Sequence, residues 1–279
     1  MEFLGYIIRS FNLFKTMLSV IIITKNEEAN IRRCLESVLF ADEIIIVDSG
    51  STDNTLTIAK EYTDKVFSMD WQGYGIQKYR ALQKTQGDWI LNLDADESVS
   101  QELQAEILQA ISSDSADAFR VPIQMIFYNQ VLKYSGSPKR HIRLFKRENA
   151  SYSKDIVHEK VIIPSRARVG RLKKPIRHHS FKDVHHMLYK LNKYSSYSAK
   201  IRIESNKRIG LIKVLLSTFW MFNRCFFLQR GFLDGRAGFL FAVFGAQGTF
   251  YRGIKQIYKD SDIKRLPSID NTKEEQLCD

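Results

Sequence analysis

Two carboxylates, Asp94 and Asp96, stand one residue apart at the end of the apolar run Trp89–Leu93. On an extended backbone, such a pair can reach one cation. Hard divalent ions such as Mg²⁺ or Mn²⁺ take oxygen ligands and often complete their shell with phosphate oxygens. Asp48 closes a second apolar run, Glu43–Val47, and opens Ser49-Gly50-Ser51-Thr52-Asp53. A carboxylate there can accept from a base imide N–H or a ribose hydroxyl, while Gly50 permits close backbone approach. The same residues also suit an ordinary strand-to-helix turn capped by Asp53. Lys78 and Arg80 lie upstream of the third run, where they can reach a diphosphate or sit solvated on a helix face.

The elements that position these groups follow from hydrophobic patterning. Leu18–Ile23, Glu43–Val47 and Trp89–Leu93 are short, β-branched runs, each followed by a polar loop, which fits buried parallel strands. Between them, Ile31, Leu35 and Val38 repeat at helical spacing with Cys34 in the same stripe, and a helix runs from Asp53 to about Tyr62. Strand–helix alternation predicts an α/β fold with right-handed βαβ units and a doubly wound, mostly parallel sheet. Ligands in such sheets gather at the carboxyl ends of strands, where all three polar loops fall. After a helix near Ser100–Ile111 the pattern changes. Ala118–Phe127, Arg140–Lys146 and Glu159–Ile163 read as further strands, and the chain from Lys182 reads as helical.

Charge divides the 279 residues unevenly. Residues 1–132 carry a net −8, residues 133–265 a net +22 and the tail a net −3, for a total of +11. A basic surplus of this size implies anionic partners such as phosphates, nucleic acid or a membrane surface. The three cysteines, Cys34, Cys225 and Cys278, are far apart and form no CxxC pair, which argues for a reducing compartment and against structural zinc. Residues 1–16 have neither an uninterrupted apolar run nor a small-residue cleavage site and are expected to be an extension rather than a signal peptide. No stretch reaches about 18 uncharged apolar residues, so no spanning helix is expected. Leu211–Phe250 is apolar and aromatic but broken by Lys213, Arg224, Arg230, Asp234 and Arg236. That pattern fits helices lying in a membrane interface, and equally a layer packed on the sheet.

Three segments, Ser19–Glu28, Val47–Asp53 and Gly87–Glu97, together resemble the inverting glycosyltransferases of family two, with the GT-A fold. The resemblance covers the first hundred or so residues. It implies that Thr24, Asn26, Glu27 and Asp48 line a nucleoside pocket, that Asp94 supports the ribose or metal shell, and that Asp96 is the direct metal ligand. Ser49 departs from the pattern, since many relatives carry a second aspartate there. Arg143-Leu144-Phe145, Val157-His158-Glu159, His178-His179-Ser180-Phe181 and Arg230–Gly235 resemble a bacterial subgroup that includes glucosyltransferases of the lipopolysaccharide inner core. This implies a donor such as UDP-glucose, an anionic saccharide or glycolipid acceptor, and a cytoplasmic protein held peripherally at the inner membrane. It also implies a divalent metal cofactor and no nucleic acid partner.

Single displacement needs a carboxylate base near the anomeric carbon. Glu159 is the first candidate, since the family places a carboxylate here, and Asp155 is the second. Arg143 is a candidate contact for an anionic acceptor, and His158, His178 and His179 are candidates for binding acceptor phosphate or supplying a further metal ligand. The expected organisation is a GT-A domain over 17–181, a basic, apolar helical region over 182–265 and an acidic tail over 266–279. A sugar nucleotidyltransferase would show a glycine-rich loop after the first strand, and Thr24-Lys25-Asn26-Glu27 has none. A nucleic-acid-binding protein would explain the basic half but not three acidic loop ends converging in an acidic half.

Overall fold

The computed structural model describes residues 16–127, 130–135, 140–148, 150–153, 160–179 and 184–259. Strand β1 (Leu18–Thr24) is central, with β2 (Glu43–Asp48) on one side and β4 (Trp89–Asp94) on the other, all parallel. Strand β3 (Val66–Ser68) extends the parallel half beyond β2. Alternate residues of β1 enter opposite faces. Val20 and Ile22 join a core with Ile31, Leu35, Leu103 and Ile107, while Ile21 and Ile23 join one with Val47, Leu82 and Phe145. Helices α1 (Glu28–Glu36) and α4 (Gln101–Ser113) thus cover one face, and α3 (Tyr74–Leu82) covers the other. Each fully buried Val, Leu or Ile contributes about 1.5–3 kcal/mol relative to exposure, so both faces must be covered.

Local chemistry explains the element ends. Ser100 caps α4, its hydroxyl accepting from Leu103 N at 3.3 Å. Helix α2 (Thr55–Lys60) is shorter than its pattern predicts: Asn54 is the N-cap, and Asp53 acts one residue earlier by accepting from Thr55 N at 3.0 Å.

The second half of the sheet is mixed, and its first pairings, where the sequence pattern changes, are antiparallel. Strand β8 (Arg140–Lys146) runs antiparallel to β4 and to β6 (Ala118–Phe127), so both predicted strands are present. Strand β12 (Ile176–His178) continues along β6, and the two-residue β5 (Glu97–Ser98) closes the edge antiparallel to β12. This last pairing sets His178 opposite Glu97. Of the expected strand over 159–163, Val161–Ile162 is observed as β10, paired with β9 (Ser151–Tyr152). Strand β7 (Gln130–Val131) forms a hairpin with β6, and β11 (Val169–Arg171) pairs beside it.

From residue 184 the chain is helical: α5 (Val184–Glu204), α6 (Leu211–Asn223) and α7 (Gly235–Tyr258), with α7 packed along both others. A π turn (Arg224–Leu228) and a 3₁₀ turn (Gly231–Asp234) link α6 to α7. Phe127, Leu132, Met187 and Ala237 form the joint between this layer and the sheet, backed by Met125, Phe241 and Phe244. The sequence expectation about membrane-length segments needs correction. Leu211–Leu228 is 18 residues long with mean hydropathy 1.4 and is only 11% buried, so by length and composition alone it is long and apolar enough to cross a membrane. Its two cations, Lys213 and Arg224, lie near its ends, which is why counting only uncharged residues misses it.

Candidate active site

The carboxyl ends of β1, β2 and β4 bring Thr24, Asp48 and Asp94 to the same end of the sheet. Thr24 and Asp48 are register neighbours across β1 and β2, and Ser49 N donates to Thr24 O at 3.0 Å. Thr24 is buried, and its Oγ1 has no hydrogen-bond partner among the described residues. Asn26 adopts φ +53° and accepts from Thr52 N at 2.8 Å, which ties the β1 loop to the β2 loop. Glu27 N donates to the Thr55 hydroxyl at 2.8 Å, a second tie. The Asp48 carboxylate accepts from Gly50 N and Ser51 N, each at 2.9 Å, and from the Ser51 hydroxyl. These bonds bear out the turn reading of Asp48, which is fully buried. Ser49 is buried and accepts from Gln77 Nε2 at 2.8 Å, so here a hydroxyl links α3 to the loop.

Asp94 sits between two buried cations. Lys78 Nζ is 2.9 Å from one carboxylate oxygen, and Arg143 Nη2 is 2.9 Å from the other. Arg143 also reaches Glu97 at 2.7 Å, and the other Glu97 oxygen accepts from Asp94 N at 2.9 Å. Burial alone would raise the Asp94 pKa, but Arg143 and then Lys78 hold it well below the usual carboxylate range. Burial and the Asp94 charge push Glu97 up to about 7 against the pull of Arg143. Asp96 turns the other way and accepts from His178 Nε2 at 3.0 Å. Burial depresses His178, but the Asp96 bond and the neighbouring carboxylates lift it to about 9, so it is an imidazolium at neutral pH. His179 is lowered to about 4 by burial and Arg33, with its Nε2 3.5 Å from the Ser98 hydroxyl.

Lys78, Asp94, Asp96, Arg143 and His178 therefore form one charged cluster with Glu97 at its base. Lys78 is only 3% exposed and turns to Asp94, while Arg80 leaves the cluster to pair with Asp70 at 3.1 Å. Arg143 is 7% exposed, so its guanidinium serves Asp94 and Glu97 rather than an open surface. Glu159, Asp155 and His158 lie outside the described residues. Sequence reading assigned no role to Glu97 or Gln77. The run Asp94-Ala95-Asp96-Glu97 was the available signal for Glu97, and nothing in the spacing marks Gln77.

Among the described residues, no three His, Cys, Asp or Glu side chains gather as a metal cage. Asp96 offers a carboxylate oxygen, while His178 beside it is protonated at neutral pH and would offer a nitrogen only after losing that proton. An oxygen donor at this strand end suits a hard divalent ion, which Asp96 would hold. Both Asp94 oxygens are already engaged by cations.

The family model for glycosyl transferase family 2 matches residues 19–224. The chain belongs to glycosyl transferase family 2. Among its relatives is a glycosyltransferase of Rickettsia typhi, 34% identical over 247 residues that span 84% of this chain and 85% of the relative. The lipopolysaccharide core biosynthesis glycosyltransferase LpsC of Rhizobium meliloti is 32% identical over 274 residues, 92% of this chain and 97% of LpsC. Among solved structures, S. aureus TarS 1–349 in complex with UDP is 16% identical with a TM-score of 0.46, covering 87% of this chain and 91% of that one. The chain is a family 2 glycosyltransferase with the GT-A fold: a mostly parallel sheet flanked by helices, with its carboxylates at the strand ends.

Proposed function

We propose that this glycosyltransferase moves glucose from UDP-glucose to a lipopolysaccharide-core or similar lipid-linked saccharide, with inversion at the anomeric carbon. One observation carries the reading: Asp94 and Asp96 meet Lys78, Arg143 and His178 at the strand ends, beside the Thr24–Asp48 loops. The likeness to LpsC over 92% of this chain supports the acceptor class.

In this reading Thr24, Asn26, Glu27 and Asp48 hold the nucleoside, and the Thr24 hydroxyl, unpartnered among the described residues, is a ready hydrogen-bonding group. Asp96 would hold a Mg²⁺ or Mn²⁺ ion, with Asp94 supporting the shell and His178 adding a nitrogen once it gives up its proton. The ion offsets charge that develops on the leaving diphosphate. Lys78 and Arg143 keep Asp94 ionised and fixed, so the cluster needs little reorganisation on binding. Glu159 removes the acceptor hydroxyl proton, with Asp155 as the second candidate, and His158 and His179 contact the acceptor.

The helical region supplies the membrane contact. Leu211, Ile212, Leu215, Leu216, Phe219 and Trp220 are exposed on α6, with exposed Lys207, Arg208, Lys213, Arg224 and Arg230 around them. An apolar face bordered by cations suits an anionic bilayer surface, which supports a peripheral position on the cytoplasmic face of the inner membrane.

The test is release of UDP from UDP-glucose, with Mn²⁺ and a truncated-core lipopolysaccharide as acceptor. Acceptor-dependent release that is lost in Glu159→Gln supports the reading. Wild-type protein that releases no UDP with any nucleotide sugar refutes it.

A further inference from the structure

The RGFLDG stretch, Arg230–Gly235, has no role in the chemistry described above, yet it holds a segment about a hundred residues earlier in the chain. Asp234 is 5% exposed, and its carboxylate accepts three consecutive backbone N–H groups: Lys133 at 2.9 Å, Tyr134 at 3.0 Å and Ser135 at 2.7 Å. Gln130 Nε2 adds a fourth tie, to the Asp234 carbonyl at 3.1 Å. A run of backbone donors converging on one anion makes a strong, directional grip. Close backbone approach is built in. A Cβ on Gly231 would lie 2.9 Å from Ser135 Oγ and 2.6 Å from Cys225 O, and one on Gly238 would collide with the Gly231 carbonyl.

The gripped segment is tied to the active site on both sides. Upstream, Leu132 N donates to Met125 O at 3.0 Å, and Met125 stands opposite His178 in the pairing of β6 with β12. Downstream, β8 begins at Arg140 and carries Arg143, which fixes Asp94 and Glu97.

We propose that Asp234 is a positioning residue: by holding Lys133–Ser135 it sets β6 and β8, and so places His178 and Arg143 against Asp96 and Asp94. The helical region is then part of the active-site scaffold as well as a surface for the membrane. The kinetic half of this proposal rests on the activity proposed above; the structural half does not. The Thr24–Asp48 loops lie outside this chain of contacts, so loss of the grip displaces the sugar-diphosphate end of the site and spares the nucleoside end.

Asp234→Asn replaces one accepting oxygen with an amide that cannot accept, and so breaks the set of three. Phe244→Leu thins the same joint without touching the carboxylate and controls for simple loss of stability. Two readouts separate the cases: amide hydrogen exchange of the full chain, and steady-state UDP release from UDP-glucose with Mn²⁺ and truncated-core lipopolysaccharide. In Asp234→Asn, exchange should quicken about tenfold or more at 133–135 and also at Arg140–Arg143, as expected when a cooperative unit loosens. Its kcat should fall about tenfold or more with KM for UDP-glucose within about threefold, because misplacement costs turnover before binding. Phe244→Leu should lower Tm and leave kcat near wild type. Exchange confined to 133–135, or an unchanged kcat in Asp234→Asn, would overturn the proposal. If wild type releases no UDP while exchange still spreads to β8, the activity reading fails and the mechanical coupling stands.

Discussion

His178 and Asp96, 82 residues apart in sequence, meet at 3.0 Å because β12 pairs with β5 at the far edge of the sheet. The short strand β5 begins right after Asp96, so the pairing that closes the sheet also delivers an imidazolium to the candidate metal ligand. This makes folding stability dependent on pH. The folded pKa of about 9 lies above the unfolded value near 6.5, so the stabilisation is fully present below pH 6.5 and is lost as pH rises through 9. Without metal, stability should fall by about 2–3 kcal/mol between pH 6.5 and 9.5. Urea unfolding across that range checks this, and His178→Gln should flatten the slope.

Arg143 joins Asp94 to Glu97; it is buried with Glu97, while the Asp94 side chain is 34% exposed. Replacing it with Met leaves Asp94 with Lys78 alone and strips the buried Glu97 of its cation. The cost should be about 3–5 kcal/mol, as for other buried pairs broken from one side. Denaturant unfolding measures it. Asp94 should also lose part of its depression, with Lys78 still beside it, so the variant should lose less stability than the wild type as pH falls below the ordinary Asp range. A cost below about 1 kcal/mol, in the range of exposed pairs, would mean that the cluster is solvated.

The exposed face of α6 makes a separate prediction. Phe219 is 70% exposed and Trp220 59%. Full-length protein should cosediment with phosphatidylglycerol vesicles at low salt and release as salt rises. Changing both residues to Ser should weaken partitioning about tenfold or more, since each large apolar side chain contributes about 1.5–3 kcal/mol when buried. Indifference to anionic vesicles would leave the face to another helix or a second copy of the chain.

Much of this arrangement is legible from sequence, for identifiable reasons. The parallel strands β1, β2 and β4 announce themselves as β-branched runs, and their polar ends fall where a doubly wound sheet gathers ligands. Asp48, Asp94 and Asp96 are found by that logic alone. Arg143 is found as a residue but not in its role, because its partners lie 46 and 49 positions away across β4 and β5. Lys78 reads as a phosphate ligand because helix periodicity does not reveal that it turns inward to Asp94. Glu97 was passed over because a two-residue strand has no periodicity to read. The Asp234 grip is invisible for another reason: the donors are backbone N–H groups, which every residue carries, and only the fold brings them together.

The most direct test of the central claim is thermal unfolding of wild type and Asp96→Ala with UDP and UDP-glucose, in Mn²⁺, Mg²⁺ or EDTA. A ligand at a hundred times its Kd stabilises by about 2.7 kcal/mol, a shift of several degrees for a domain of this size. The account predicts a rise with UDP or UDP-glucose that needs the metal and disappears in Asp96→Ala, while the unliganded variant unfolds near the wild-type temperature. If nucleotides leave the wild-type Tm unchanged in every metal, or stabilise Asp96→Ala equally, the strand-end cluster is not a metal-assisted sugar-nucleotide site.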